Sequence, residues 1–216
     1  MSLKEIFKQN KLLFYPLIFV WFTGFIYYLY YGKEQAFLSI NTTHNAAVDS
    51  VMKVVTHLGE FYLLLPVLLY LYAKQVRLGV GLFIAYAGAT LLSQGIKYWA
   101  PWHNDRPSLY FYLNPRVHYV PDYFNNVSHS FPSGHTTLAF VVLIYLALTL
   151  RSTVAQLICL TIAVVAAYSR VYLAQHFVED LLGGAFIGST FAILCYVYFT
   201  ANKRINSPYL NTTYLP

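Results

Sequence analysis

The chain of 216 residues is 58% hydrophobic and only 10% charged, with a formal net charge of +6 and a mean hydropathy of +0.50. A soluble domain carries about 25% charged residues, so this composition excludes a surface that faces water on most sides. The basic residues are scattered around apolar runs rather than gathered on one face, which argues against a nucleic-acid partner.

Six runs qualify or nearly qualify as membrane spans: 12–31, 54–73, 78–96, 134–150, 152–168 and 181–200, against a requirement of about 20 apolar residues. They predict an all-α fold, one integral membrane domain over residues 1–216 built as a six-helix bundle. Leu3, Ile6 and Phe7 let residues 2–9 lie along the interface. The first run follows Lys4, Lys8 and Lys11, but it is too long for a signal peptide and no small-x-small site follows it. The second carries His57, Glu60 and Pro66. Glu60, an ionisable group at membrane depth, is a candidate pocket contact, and His57 reads as interfacial. The fourth and fifth runs form a tight hairpin about Arg151. Cys159 and Cys195 fall inside apolar runs and read as small hydrophobes. The polar tail, 201–216, is expected to be loosely ordered. Tyrosine-rich strings such as YYLYY at 27–31 fit an aromatic belt at the interface.

Lys and Arg counts set the orientation. With the N-terminus inside, the inner flanks hold Lys4, Lys8, Lys11, Lys74, Arg77, Arg151, Lys203 and Arg204, and the longer outer loops hold Lys33, Lys53, Lys97, Arg106, Arg116 and Arg170. Both termini are then expected in the cytoplasm. Loops 97–133 and 169–180 emerge together on the outer face.

Those two loops and the helix ends beside them carry the chemistry. In KYWAPWHNDRP, Lys97 offers a point charge and Arg106 a bidentate fork for an anion. In FPSGH, Pro132 fits the start of a helix, Ser133 and Gly134 supply hydroxyl and amide donors, and His135 stands beside them; a helix N-terminus favours an anion. In SRVYLAQHFVED, His176 and Asp180 are four apart and share a helix face. A carboxylate on one imidazole nitrogen fixes the tautomer and frees the other nitrogen as a nucleophile. Arg170 adds a cation. His103, His118 and His129, in the long loop, read as surface histidines. Asn41-Thr-Thr and Asn126-Val-Ser fit glycosylation acceptors, but no glycan is assigned to a compact chain of bacterial appearance.

Together the three segments resemble the signature of the type-2 phosphatidic acid phosphatase superfamily, Lys-x6-Arg-Pro, Pro-Ser-Gly-His and Ser-Arg-x5-His-x3-Asp. The second and third match at 132–135 and at Ser169, Arg170, His176 and Asp180; in the first, eight residues separate Lys97 from Arg106. The resemblance implies an integral membrane lipid phosphatase. His176 would attack phosphorus to give a phosphohistidine, Asp180 would orient it, and His135 would serve as acid and then base. Lys97, Arg106, Ser133, Gly134 and Arg170 would hold the phosphoryl oxygens. It implies neither cofactor nor metal, since fixed cations replace Mg²⁺ and the sequence lacks an obvious carboxylate cluster. The partners implied are the bilayer and a lipid phosphate or diphosphate, such as an undecaprenyl carrier, phosphatidic acid, phosphatidylglycerol phosphate or lipid A, at a bacterial inner membrane. Transfer of the phosphoryl group to an alcohol would use the same intermediate. A haem held by His135 and His176 is disfavoured by the cations around them. Haloperoxidase-like use of vanadate belongs to soluble relatives.

Overall fold

Uninterrupted apolar sequence becomes long helix, and the one left-handed glycine among the described residues interrupts the first of them. The computed structural model describes residues 3–99, 105–112, 114–150, 152–201 and 207–214. His103, Arg151, Lys203 and Arg204 lie outside the described residues. Helix α1 (Leu3–Gln9) leads into α2 (Lys11–Asn41). Gly32 breaks α2 with φ 69°, a left-handed conformation that a side chain disfavours. The first span therefore ends about where the sequence placed it, and the helix resumes as a short segment. The long, apolar helices α5 (Val76–Trp99), α8 (Thr153–Tyr172) and α9 (Val178–Ala201) are each sufficient to cross a membrane.

The second span is not the straight helix expected over 54–73. It is α3 (Ala46–Val55), a 3₁₀ turn (Thr56–Gly59) and α4 (Phe61–Lys74), bent by 47°. Glu60 at the junction is extended, with φ −123° and ψ 178°. Helix α7 (Gly134–Thr149) has 16 residues, about 24 Å at 1.5 Å per residue, and falls short of the span length. It is the central helix: Phe140, Val141, Val142, Leu143, Ile144 and Tyr145 are all buried. The six apolar elements match the six runs in place, with one bent and one short. A four-residue helix, α6 (Pro107–Tyr110), lies in the long loop.

The expected loop over 169–180 is largely helix. Ser169 and Arg170 sit on the last turns of α8 and Asp180 on the first turn of α9, leaving residues 173–177 as the connection. Nothing in SRVY stops a helix, so α8 runs on. Helices α7 and α9 approach closely because a Cβ at Gly184 would lie 2.6 Å from the Ser133 carbonyl, and one at Gly188 2.5 Å from that of Thr137. Small residues four apart allow this contact in membrane helices. It brings Asp180 beside Ser133, whose N–H donates to the Asp180 carbonyl at 3.0 Å.

Two smaller expectations are corrected. Ile6 of α1 is buried, so that helix packs on the bundle as well as lying beside it. Residues 207–214 of the tail are docked: Val76 N–H donates to Thr212 O, Arg77 N–H to Leu210 O and Tyr214 N–H to Ala73 O.

Candidate functional site

Four helix ends converge on one face: the last turns of α5 and α8 and the first turns of α7 and α9. Between them lies a cavity of about 310 Å³ whose lining includes Lys97, Arg106, Gly134, His135, Arg170 and His176. Its wall among the described residues contains three cations and no carboxylate. Along α5 the lining runs from Lys97 through Gln94, Ser93 and Thr90 to Tyr86, about 16 Å of helix. The cavity therefore reaches from the loop face into the span.

Lys97 stays in this wall despite its unusual spacing from Arg106. It lies on the last turns of α5, and its Nζ is 3.8 Å from the position of a Cβ on Gly134. Arg106 caps α6 and is buried; its Nε donates to Ser128 O at 2.9 Å, and Nη1 to Gln175 O at 3.3 Å and Gln175 Oε1 at 3.2 Å. Burial, followed by repulsion from Arg170, lowers the Arg106 guanidinium to about 10. Such crowding of like charge is relieved by an anion. Arg170, 2% exposed, donates through Nη1 to Thr56 Oγ1 at 2.5 Å and to the Tyr123 hydroxyl at 3.0 Å. Its Nε is buried without a partner among the described residues.

His176 and Asp180 form a buried pair, with Nδ1 3.3 Å from Oδ2 and side chains 1% and 0% exposed. The same Oδ2 accepts from Ser130 Oγ at 2.5 Å and Phe177 N–H at 2.8 Å. The carboxylate is pinned behind the ring, which leaves Nε2 as the free nitrogen. Burial pushes His176 well below the usual imidazole range, and Arg106, Arg170, Lys97 and His135 act in the same direction. A neutral ring with a free lone pair is the nucleophilic form.

Ser133 does not line the cavity. It is fully buried as the N-cap of α7, where its Oγ accepts from Thr136 N–H at 3.3 Å. The Ser hydroxyl satisfies a free N–H at the helix start, and Gly134 and His135 of the first turn line the cavity instead. Asp180 stands behind His176 rather than in the wall. The sequence reading missed Ser130, Thr56, Tyr123 and Gln175, which hold the others, because none belongs to a recurring spacing.

Glu60 reaches the site from the bent span. Its Oε1 is 3.2 Å from His135 Nε2, and its Oε2 is 3.0 Å from His57 Nδ1. His118 is no free surface residue: Nε2 is 3.0 Å from Asp49 Oδ1, and the ring stacks on His44 at 3.6 Å. Asn41, buried, donates to the carbonyls of His118 and Tyr172 and accepts from His118 N–H, tying the long loop to the end of α8. His129 lines a second cavity of about 320 Å³ that shares Lys97 and Arg106 with the first.

The model of the PAP2 superfamily matches residues 78–204. An undecaprenyl-diphosphatase of Sulfolobus acidocaldarius is 26% identical over 195 residues, 86% of this chain and 91% of that one. Phosphatidylglycerophosphatase B of Bacillus subtilis is 31% identical over 155 residues, 65% of this chain and 70% of that one. Among solved structures, LpxE of Aquifex aeolicus superposes with a TM-score of 0.68 at 26% identity, covering 77% of this chain and 95% of its own. A transmembrane PAP2-type phosphatidylglycerolphosphate phosphatase from Bacillus subtilis gives 0.63 at 26%, covering 89% and 100%. Spans, convergent motifs and relatives agree: the chain belongs to the PAP2 superfamily, as one of its integral membrane lipid phosphatases.

Proposed function

We propose that this phosphatase works through a phosphohistidine on His176, without a metal ion. The observation that carries the reading is an Asp-supported, buried imidazole at the wall of a cavity lined by three cations. His176 Nε2 forms a bond to phosphorus as the bond to the leaving oxygen breaks. His135 gives that oxygen a proton. Water then attacks phosphorus and His135 takes its proton; the N–P bond breaks, releasing phosphate and neutral His176. Lys97, Arg106, Arg170 and the first amides of α7 hold the equatorial oxygens and stabilise the charge that gathers on them.

The substrate is a lipid phosphate or diphosphate. The depth of the cavity along α5 suits a ligand with one end in the bilayer, and two of the relatives are named for a lipid diphosphate and for phosphatidylglycerol phosphate. The test uses the full chain in detergent with EDTA and a panel of these lipids. Phosphate release should persist, and peptides quenched at high pH should carry phosphate on His176. Loss of activity that Mg²⁺ restores, or phosphate on another residue, refutes the mechanism.

The site faces away from the cytoplasm in a bacterial inner membrane. The support is the density of Lys and Arg on the opposite flanks. Cysteines placed at Asn114 and Gln75 should react with an impermeant thiol reagent from outside and inside respectively. The reverse pattern overturns the orientation.

A further inference from the structure

The bend in the second span is built against His135, and it lies outside the segment that the family model covers, which begins at residue 78. A Cβ on Gly59 would lie 2.7 Å from His135 Cβ and 2.8 Å from His135 O, so only glycine lets the 3₁₀ turn approach this closely. The same turn supplies Thr56, which accepts from Arg170. Glu60 follows as the N-cap of α4, yet its side chain makes no capping bond there. Its two carboxylate oxygens face two imidazoles instead, His135 Nε2 and His57 Nδ1. A half-buried carboxylate given up by its own helix and placed on one ring nitrogen is the arrangement that fixes a tautomer.

The geometry points to Glu60 as the positioning residue of His135, the counterpart of Asp180 behind His176. The inference rests on the acid–base role proposed for His135. Accepting from Nε2–H, Glu60 leaves Nδ1 to face the leaving oxygen. When His135 is protonated on both nitrogens, the Nδ1 proton passes to that oxygen as the P–O bond breaks, and the Nε2–H stays on Glu60. In the second step Nδ1 takes a proton from water. Glu60 remains ionised throughout and never touches the phosphoryl group.

The test compares leaving groups in the first step. Single-turnover phosphoenzyme formation is followed in the full, detergent-solubilised chain with p-nitrophenyl phosphate, whose phenolate leaves unaided, and with octyl phosphate, whose alkoxide needs a proton. Glu60→Gln should slow the octyl reaction by ~10–100-fold, part of the ~10²–10⁴ that general acid catalysis supplies, and the aryl reaction far less. Vanadate inhibition should be unchanged. Glu60→Asp, one methylene shorter, should show the same selectivity more mildly and serves if the Gln variant does not fold. Equal losses on both esters would overturn the inference and leave Glu60 a structural residue. His135→Ala, run beside them, separates the two ideas: if it too shows no leaving-group selectivity, the acid role of His135 fails; if it alone does, only Glu60 is misassigned.

Discussion

Two carboxylate–imidazole pairs serve one cavity at nearly the same distance, 3.3 Å for Asp180–His176 and 3.2 Å for Glu60–His135, yet their surroundings are opposite. The first pair is 0% and 1% exposed, lies within one short segment and has two further donors on the same carboxylate oxygen. In the second, both side chains are 32% exposed, and the partners are 75 residues apart. A hydrogen bond is stronger in a low-dielectric interior, and the further donors on the same buried oxygen fix the carboxylate, so the buried pair is held rigidly. The half-exposed pair is weaker and remains open to water. Those differences suit the two proposed tasks. A nucleophile must be aimed and kept dry, whereas a group that gives and takes protons in one cycle needs access to water.

The largest effect should come from the buried pair. Asp180→Asn keeps the shape but replaces the acceptor with an amide, which can reverse the tautomer of His176. The same change in a Ser-His-Asp triad costs about 10⁴ in rate, and a loss of that order is expected in phosphoenzyme formation here. Leaving group should not matter to it, since the damage is to attack. If Glu60→Gln equals this loss on every ester, the contrast between the two pairs is wrong.

Much of the buried half was legible in the sequence and little of the exposed half was. The four-residue spacing of His176 and Asp180 marked them as partners, although His176 lies in the turn before α9 rather than on the helix, and Asp180 folds back over the helix start to reach it. The Ser-Gly-His string at the head of an apolar run likewise announced a helix start beside an imidazole. Glu60 could be marked only as a charge at membrane depth. Its partner is set by the bend at Gly59, and a single glycine in an apolar run does not state the direction of a bend. The ends of α8 and α9 were misread as loop because polar catalytic-type residues can occupy a helix end as easily as a loop. Asn41 looked like a glycosylation acceptor, but its buried amide ties His118 to Tyr172.

The cations should come next in size, and they belong to neither pair. Losing one oxyanion-stabilising contact costs about 10²–10³ in rate. Arg106→Ala should reach the upper part of that range, because it also frees the carbonyls of Ser128 and Gln175 and so loosens the turn that carries His176. Lys97→Ala should stay lower. Lys97 shares the cavity wall but has no comparable set of bonds to the turn. Kinetics of both variants on one lipid substrate decide it. A more damaged Lys97→Ala would mean that the ammonium beside Gly134, rather than the Arg106 fork, carries most of the charge stabilisation.

His57 should matter least, and that small effect tests how far the exposed pair extends. It holds the outer oxygen of Glu60 at 3.0 Å, but its side chain is 55% exposed. An exposed ion pair is worth ~0.2–1 kcal/mol because water competes for both partners and salt screens them, so His57→Ala should cost less than about fivefold in turnover of an alkyl phosphate lipid. The loss should shrink further in high salt, which barely touches the buried pair. Turnover of His57→Ala and Glu60→Gln, each measured at low and high ionic strength, sets the two side by side. If His57→Ala matched Glu60→Gln in size and kept its loss in salt, the carboxylate would depend on both imidazoles. The working unit beside the leaving oxygen would then be His57–Glu60–His135, a longer relay than the single pair behind the nucleophile.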